Sequence, residues 1–274
     1  MEELEVRETT CKTLLHRLDY GGSSEYTANF YKGCLHGCVY CYVPSLIHED
    51  RRWGRFVDVK VNAPEVLDSE LRRTKKGPVF LSSATDPYQQ VEGRYRITRR
   101  CLRSLRAQGF PTIILTRSPL VLRDLDILRQ FDWVRVGFSI SSVPDRLYEP
   151  RVSPLERRIE SLRRLGDAGI RTWVSLAPLI PKLMMVELPD LLGRLRRAGV
   201  SAVSPGLIRF QGYPESKQMF ENSLGISSEG LAEGGDDIIA DARKLIDGLG
   251  FQSTADFFDW RRETGLEGYM NPIT

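Results

Sequence analysis

A chain of 274 residues, 41% apolar and 27% charged, is long enough to bury the core of one α/β barrel of about 250 residues and has the make-up of an ordinary globular protein. Its net charge of +3 falls short of the strongly basic balance of a nucleic-acid-binding domain. Apolar runs such as Pro111–Leu115 are far too short to span a bilayer, and the acidic start Met1-Glu-Glu-Leu-Glu has no secretory h-region, so a cytoplasmic protein without membrane contact is expected.

In chain order, Tyr26–Tyr31 reads as a short strand, followed by a long Gly-, Cys-, His- and Pro-rich loop. Pro64–Lys75 reads as a helix with proline favourable in its first turn, and Pro78–Ala84 as a buried strand. Arg96–Gln108 has helical spacing at Ile97, Cys101, Leu102 and Leu105 and stops at Gly109. The pattern then repeats: strand Thr112–Thr116 and helix Leu120–Gln130, strand Trp133–Ile140 and helix Pro154–Ala168, strand Thr172–Ala177 and helix Leu188–Ala198, then strand Ser201–Ile208. Such alternation argues for a parallel sheet, and its regular spacing for an α/β fold of the partial (β/α)6 TIM-type barrel kind. Met219–Glu233 reads as a loop and Asp236–Leu249 as an amphipathic helix. The aromatic tail (Phe257, Phe258, Trp260, Tyr269) is expected to pack under the barrel. One domain is expected over 1–274, with a core of about 25–210 and a C-terminal helical extension of about 211–274.

Five cysteines is an odd count, and Cys34, Cys38 and Cys41 are clustered, which in a cytosolic chain favours metal ligation over disulfides. Cys11 and Cys101 stand alone, and Cys101 reads as a buried, inert thiol. The decisive stretch is Tyr31-Lys-Gly-Cys-Leu-His-Gly-Cys-Val-Tyr-Cys-Tyr-Val-Pro, where C-x3-C-x2-C spacing can set three thiolates around one small cluster. A structural zinc site or an electron-transfer cluster wants four protein ligands, whereas three on a four-iron cube leave one iron open. His36, lying between two of these ligands, would strain the loop as a fourth.

With Tyr40 as the aromatic of C-x3-C-x-aromatic-C after a first strand, the chain resembles the radical S-adenosylmethionine (SAM) superfamily, and within it the spore photoproduct lyase-related, DNA repair photolyase-like branch. The matching segments are Tyr31–Pro44, Ser82-Ser-Ala-Thr-Asp-Pro-Tyr, Leu115-Thr-Arg-Ser, Phe138-Ser-Ile, Glu149-Pro-Arg and Ala177-Pro-Leu-Ile-Pro, in order and each near an expected strand end. The resemblance implies a partial barrel of the radical SAM kind and a [4Fe–4S] cluster on Cys34, Cys38 and Cys41. It further implies reductive cleavage of SAM to a 5′-deoxyadenosyl radical that abstracts hydrogen from a substrate. By the same resemblance, Tyr40 packs near the adenine, Thr85 bonds the methionyl part of SAM, Arg117 pairs with its carboxylate and Ser139 meets the ribose. A reductant such as ferredoxin or flavodoxin is the implied partner, and a monomer is expected.

The favoured substrate is a nucleobase or nucleic-acid-related molecule. The alternatives are the same chemistry on a peptide or small metabolite, or an Fe–S binding or electron-transfer module. One departure from the branch is Ser83, which occupies the position of the lyases' hydrogen-donating cysteine. Tyr42 resembles a hydrogen-relaying tyrosine of the lyases, although packing beside the cluster is the expected role. For Asp86, and for Glu149 with Arg151, a place at the mouth and a structural role (an N-cap, an ion pair) both stand open. The arginine runs on the helices, including Arg157/Arg158 and Arg194/Arg196/Arg197, read as solvated outer faces.

Overall fold

The computed structural model describes residues 4–18, 25–47 and 49–264. The chain begins with β1 (Glu5–Thr9), β2 (Leu15–Arg17), β3 (Tyr26–Ala28) and β4 (Tyr31–Lys32), followed by the short α1 (Pro44–Ile47), β5 (Phe56–Lys60) and α2 (Ala63–Leu71). Then come β6 (Val79–Leu81), α3 (Glu92–Tyr95), α4 (Ile97–Ala107), β7 (Thr112–Thr116), α5 (Leu125–Leu128), β8 (Val134–Ile140) and α6 (Leu155–Asp167). The remainder holds β9 (Arg171–Leu179), α7 (Leu188–Arg197), β10 (Ala202–Leu207), α8 (Pro214–Leu224), α9 (Gly235–Gly248), α10 (Thr254–Phe257) and α11 (Trp260–Thr264).

Six strands, β3, β6, β7, β8, β9 and β10, pair in parallel and in sequential order, while β2 lies antiparallel on the edge beside β3. This is the partial (β/α)6 architecture expected from the alternation, left open between β10 and β2. Every residue of β8 is buried, as a parallel strand covered on both faces must be. The covering helices turn apolar stripes inward: Ile97, Cys101, Leu102 and Leu105 on α4, and Leu188, Leu191, Leu192 and Leu195 on α7. The helix stops at Gly109, Gly169 and Gly199 adopt the left-handed φ that an L side chain resists. Among the described residues, no helix is long and apolar enough to cross a membrane.

Several expectations are corrected. The strand Tyr26–Tyr31 divides into β3 and β4, which belong to different sheets. Asn29, at the break, gives its side chain to Ala84 N and Ser83 Oγ and its carbonyl to Lys60 Nζ, which takes the backbone off the ladder. A second sheet, β1-β5-β4, was not anticipated, because the largely exposed Glu-Val-Arg-Glu-Thr of β1 carries no apolar signal. The strand expected over Pro78–Ala84 ends at Leu81, where Ser82 takes φ 59°. The helix expected over Leu120–Gln130 starts as a 3-10 turn, Pro119–Asp124, capped by Ser118, before α5. Part of the expected loop Met219–Glu233 is the end of α8, which stops at Gly225.

Phe257, Phe258 and Trp260 pack with Ile113, Trp133, Trp173 and Ala202 beneath the amino ends of the strands, where the aromatic tail was expected; Tyr269 lies outside the described residues. Phe258 meets Trp173 edge-on at 5.0 Å. The indole in turn fills the space over Gly137, where a Cβ would stand 2.3 Å from Trp173 Cε2. Gly137→Ala is therefore expected to destabilise the protein by about 1–3 kcal/mol, the usual cost of overpacking a filled core. A urea denaturation midpoint equal to that of the parent chain would contradict this packing.

Candidate active site

The cysteine loop has no regular ladder of its own, so its backbone polar groups find partners elsewhere. Gln89 brackets the entry, accepting from Leu35 N at 2.9 Å and donating to Gly33 O at 3.1 Å. Gly33 itself, at φ 84°, lies so close to β5 that a Cβ would stand 2.5 Å from Phe56 O. Further on, Val39 N donates to Tyr148 O, and Arg151 donates to the carbonyls of Leu35 and Gly54. The result is a loop pinned from three distant parts of the chain, with Cys34 and Cys38 buried and Cys41 half-buried.

Opposite the loop stand the carboxyl ends of the parallel strands. A cavity of about 390 Å³ lies between them, and all seven sequence-derived site residues line it: Cys34, Cys38, Cys41, Tyr40, Thr85, Arg117 and Ser139. Thr85 comes from the turn after β6, Arg117 directly follows β7, and Ser139 is on β8. Trp53, Phe80, Leu115, Leu207 and Ile208 make the apolar part of the wall, and Tyr42, Tyr213 and Arg209 also border it.

Two buried carboxylates organise these groups. Asp86 Oδ1 accepts from Thr116 Oγ1 at 2.7 Å and Tyr88 N at 2.8 Å, while Oδ2 accepts from Arg117 N at 2.7 Å. His36 Nε2 stands 3.1 Å from the same Oδ2, in contact but without hydrogen-bond geometry. Asp86 thus makes a local turn and also joins the cysteine loop to the end of β7. Burial would raise its pKa, but the charge and contact of His36 with the Thr116 and Tyr88 bonds bring it below the ordinary 3.8. Glu149 accepts from Arg158 Nη2 at 2.7 Å and from the Tyr40 hydroxyl. Of the two roles left open for Glu149 with Arg151, the ion pair between them is not formed, because Arg151 is spent on the loop carbonyls. Arg158, expected on a solvated face, is 1% exposed. It shares the inner stripe of α6 with Ser161, Leu162 and Leu165, an i, i+3, i+4 spacing that could have exposed its inward direction.

Burial raises all three thiols. Cys34 is pushed up further by Asp86 and Cys38, and Cys38 is pushed up to about 12, with Arg117 opposing. Metal-free, the thiols are protonated at neutral pH, and metal loading must displace protons. Burial alone would lower Arg117, but Cys38, Tyr40, Glu149 and Asp86 around it raise it well above the usual arginine value. Among the described residues, no group of three or more His, Cys, Asp or Glu is arranged to hold a single metal ion. Three soft thiols suit an iron–sulfur cluster. Thr85 Oγ1, Ser82 Oγ and Arg117 Nε are buried without hydrogen-bond partners, which fits a polar ligand seated in the same cavity. Ser82 was missed as a site residue; its left-handed backbone follows from position, not residue type.

A parallel α/β barrel with a three-thiol loop over its strand ends defines the class, a cofactor-binding partial barrel. The chain belongs to the radical SAM superfamily, whose family model matches residues 28–195. An uncharacterized protein of Methanocaldococcus jannaschii is 33% identical over 169 residues, 60% of this chain and 64% of its own length. Spore photoproduct lyase of Bacillus subtilis is 25% identical over 162 residues, 57% of this chain and 46% of its own. A solved spore photoproduct lyase mutant with bound AdoMet and dinucleoside spore photoproduct shares the fold at a TM-score of 0.67 and 18% identity, covering 89% of this chain and 79% of that one. The chain spans just under two thirds of the length of the archaeal relative.

Asp86 generates a stability prediction. Its lowered pKa means that its contribution is fully present above 3.8 and is lost as pH falls through the still lower folded value. Asp86→Ala is expected to cost the metal-free protein about 3 kcal/mol at neutral pH, the scale of lost bonds to a charged acceptor. It should also flatten the acid limb of stability below about pH 4. Urea titrations across that range check both, and an unchanged acid limb would remove Asp86 from this role.

Proposed function

We propose that the chain is a radical SAM enzyme in which Cys34, Cys38 and Cys41 hold a [4Fe–4S] cluster and Tyr40, Thr85, Arg117 and Ser139 bind SAM. The observation that carries this reading is that three thiols and Tyr40 of one loop line one cavity with Thr85, Arg117 and Ser139 from three separate strand ends. When bound, the pair supplies the hard chemistry, namely reductive cleavage of SAM and hydrogen abstraction from the substrate. The protein's own share is positioning. Arg117, kept cationic by its surroundings, offers a charge-assisted contact to the SAM carboxylate. Thr85 Oγ1 is free to bond the methionyl part. Ser139 Oγ donates to Ala177 O at 3.3 Å, which leaves its lone pairs for a ribose hydroxyl. The Tyr40 ring would pack near the adenine, its hydroxyl held by Glu149. Trp53, Phe80 and Leu115 give the cavity an apolar wall beside these groups.

Electrons come from an external reductant of the ferredoxin or flavodoxin type. The substrate is a nucleobase or nucleic-acid-related molecule, a reading supported by the likeness to spore photoproduct lyase, which has been solved with a dinucleoside photoproduct.

Anaerobic reconstitution should load about four iron and four sulfide per chain. Alanine at Cys34, Cys38 or Cys41 should abolish the cluster, whereas alanine at Cys11 or Cys101 should not. Incubation with SAM and dithionite should release 5′-deoxyadenosine. Arg117→Ala should keep its iron but bind SAM about tenfold or more weakly, the worth of about 1.5–3 kcal/mol for a charge-assisted contact. Tight zinc binding with no reducible iron centre would defeat the reading.

The protein should not repair spore photoproduct efficiently. Quenching a product radical needs a weak bond to hydrogen, and the O–H of Ser83 is much stronger than a thiol S–H. Ser83 Oγ is also engaged with Thr27 Oγ1 at 3.0 Å and Asn29 Nδ2 at 3.3 Å. Cys101 is buried within α4, and Cys11 lies on the segment before β2, bonded to Asn62, so neither lines the cavity. Given the dinucleotide photoproduct, the expected result is deoxyadenosine formation without clean thymine recovery, improved in Ser83→Cys. Rapid stoichiometric repair by the unaltered chain would overturn this.

A further inference from the structure

The motif Glu149-Pro150-Arg151 lies outside the cavity lining, yet both of its charged side chains reach the cysteine loop. Arg151 takes the entry half. Its Nε donates to Leu35 O and its Nη2 to Gly54 O, and the guanidinium fills the slot between two glycines. A Cβ on Gly37 or Gly54 would stand 2.8 or 2.7 Å from Nη2. The Arg151 carbonyl accepts from Gln90 Nε2 at 2.9 Å and lies 3.3 Å from His36 Nδ1. The cysteine-loop groups that Arg151 meets, at Leu35, His36 and Gly37, all lie between Cys34 and Cys38.

Glu149 takes the exit half and the strand ends. It accepts from the Tyr40 hydroxyl, from Ser141 Oγ at 3.3 Å and from Arg158 Nη2 at 2.7 Å, and it stands 3.8 Å from Arg117 Nε. Arg158 Nη1 continues the line to Ser139 O at 2.9 Å. Three of the four residues assigned to SAM therefore meet one carboxylate or its direct partner, Tyr40 and Arg117 through their side chains and Ser139 through its backbone carbonyl. A buried ion pair of this kind is poor value as a stabiliser, since apolar replacements of similar volume are often as good or better. Fixed orientation is what such a pair adds, as partners of metal ligands do elsewhere.

We infer that Glu149-Pro150-Arg151 is a brace with two separable positioning roles, Arg151 setting the cysteine loop for the cluster and Glu149 setting Tyr40, Arg117 and Ser139 for SAM. The inference rests on the cluster-and-SAM reading of the cavity. Its test uses the full chain, reconstituted anaerobically, with iron retention against a chelator and the SAM dissociation constant measured on each variant. Circular dichroism and melting temperature report folding.

Arg151→Gln is expected to lose iron to the chelator about tenfold more readily, as loss of a partner supporting metal ligands commonly does. Glu149→Gln is expected to keep its iron but bind SAM about tenfold more weakly and to show a smaller SAM-induced change in the reduced cluster's EPR signal. If either variant fails to fold, Arg151→Lys and Tyr40→Phe test the same two arms. The lysine keeps the charge but lacks the planar fork that meets the two carbonyls from separate nitrogens, and the phenylalanine removes one hydroxyl and keeps the packing. A merely structural role would lower iron, SAM affinity and melting temperature together in both variants, and that result overturns the division. Wild-type values in both variants overturn the brace. A parent chain that takes up no iron defeats the cluster reading, and the inference with it, before any variant is made.

Discussion

Glu149 is 2% exposed, and a carboxylate that deep is costly to bury unless it is paired and hydrogen-bonded. Its pairing decides more than its own charge. Arg158 belongs to α6, Tyr40 to the cysteine loop and Ser141 to the segment after β8, so satisfying one carboxylate brings three parts of the chain into register. Asp86, 3% exposed, does the same for the end of β7 and the opposite flank of the loop. Apolar packing sets the distance between helices and sheet. It has no directional preference that could aim a guanidinium or a thiol, and that task falls to the two carboxylates.

The cysteine loop is consequently a tertiary object. Gln89, Tyr148 and Arg151 are far from it in sequence, and its backbone groups have these partners only once the sheet is assembled. The same assembly creates an electrostatic bias. Arg117 sits among Cys38, Tyr40, Glu149 and Asp86, its Nε 3.8 Å from Glu149 but without a hydrogen-bond partner, a half-buried cation with bonding capacity left over. Thiolates formed beside it are favoured over thiolates buried elsewhere, although burial holds the metal-free thiols protonated. The isolated thiol Cys101, on the buried stripe of α4, is raised by burial and the nearby Glu92, with Arg100 opposing.

What could be read from the sequence tracks the physics of each element. The strands β7, β8 and β9 and the helices α4, α6 and α7 carry strong periodicity or unbroken apolar runs, and they appear where those patterns put them. That the cysteine loop and the polar strand-end residues implied by the family resemblance would share one cavity was legible, because a parallel barrel puts them all at one mouth. Tertiary pairing was not legible. β1 is a polar strand that exists because β5 offers it a ladder, Glu5↔Phe56 through Thr9↔Lys60. Arg158 looked like one more outer-face arginine in a run, and its inward turn depends on which α6 stripe meets β8. Glu149 and Arg151 stand two residues apart in sequence, but their side chains diverge to opposite halves of one loop, so the ion pair that proximity left open is not made.

The unanticipated small sheet explains how so long an excursion between two adjacent strands remains ordered. β3 and β6 are neighbours in the main sheet, yet about fifty residues separate them, a length at which connections are usually functional or disordered. Here the connection carries its own strands. β4 and β5 pair antiparallel directly beside the cysteine loop, β5 offers Phe56 as the surface on which Gly33 rests, and Arg51 lies over the Phe56 ring at 4.1 Å while pairing with Asp58. Asn29 and Lys60 then tie this sheet back to the turn after β6, where Ser83, Ala84 and Thr85 face the cavity. The floor of the cysteine loop and the first wall of the cavity are thus one hydrogen-bonded unit, so a shift in either would be transmitted to the other through Asn29.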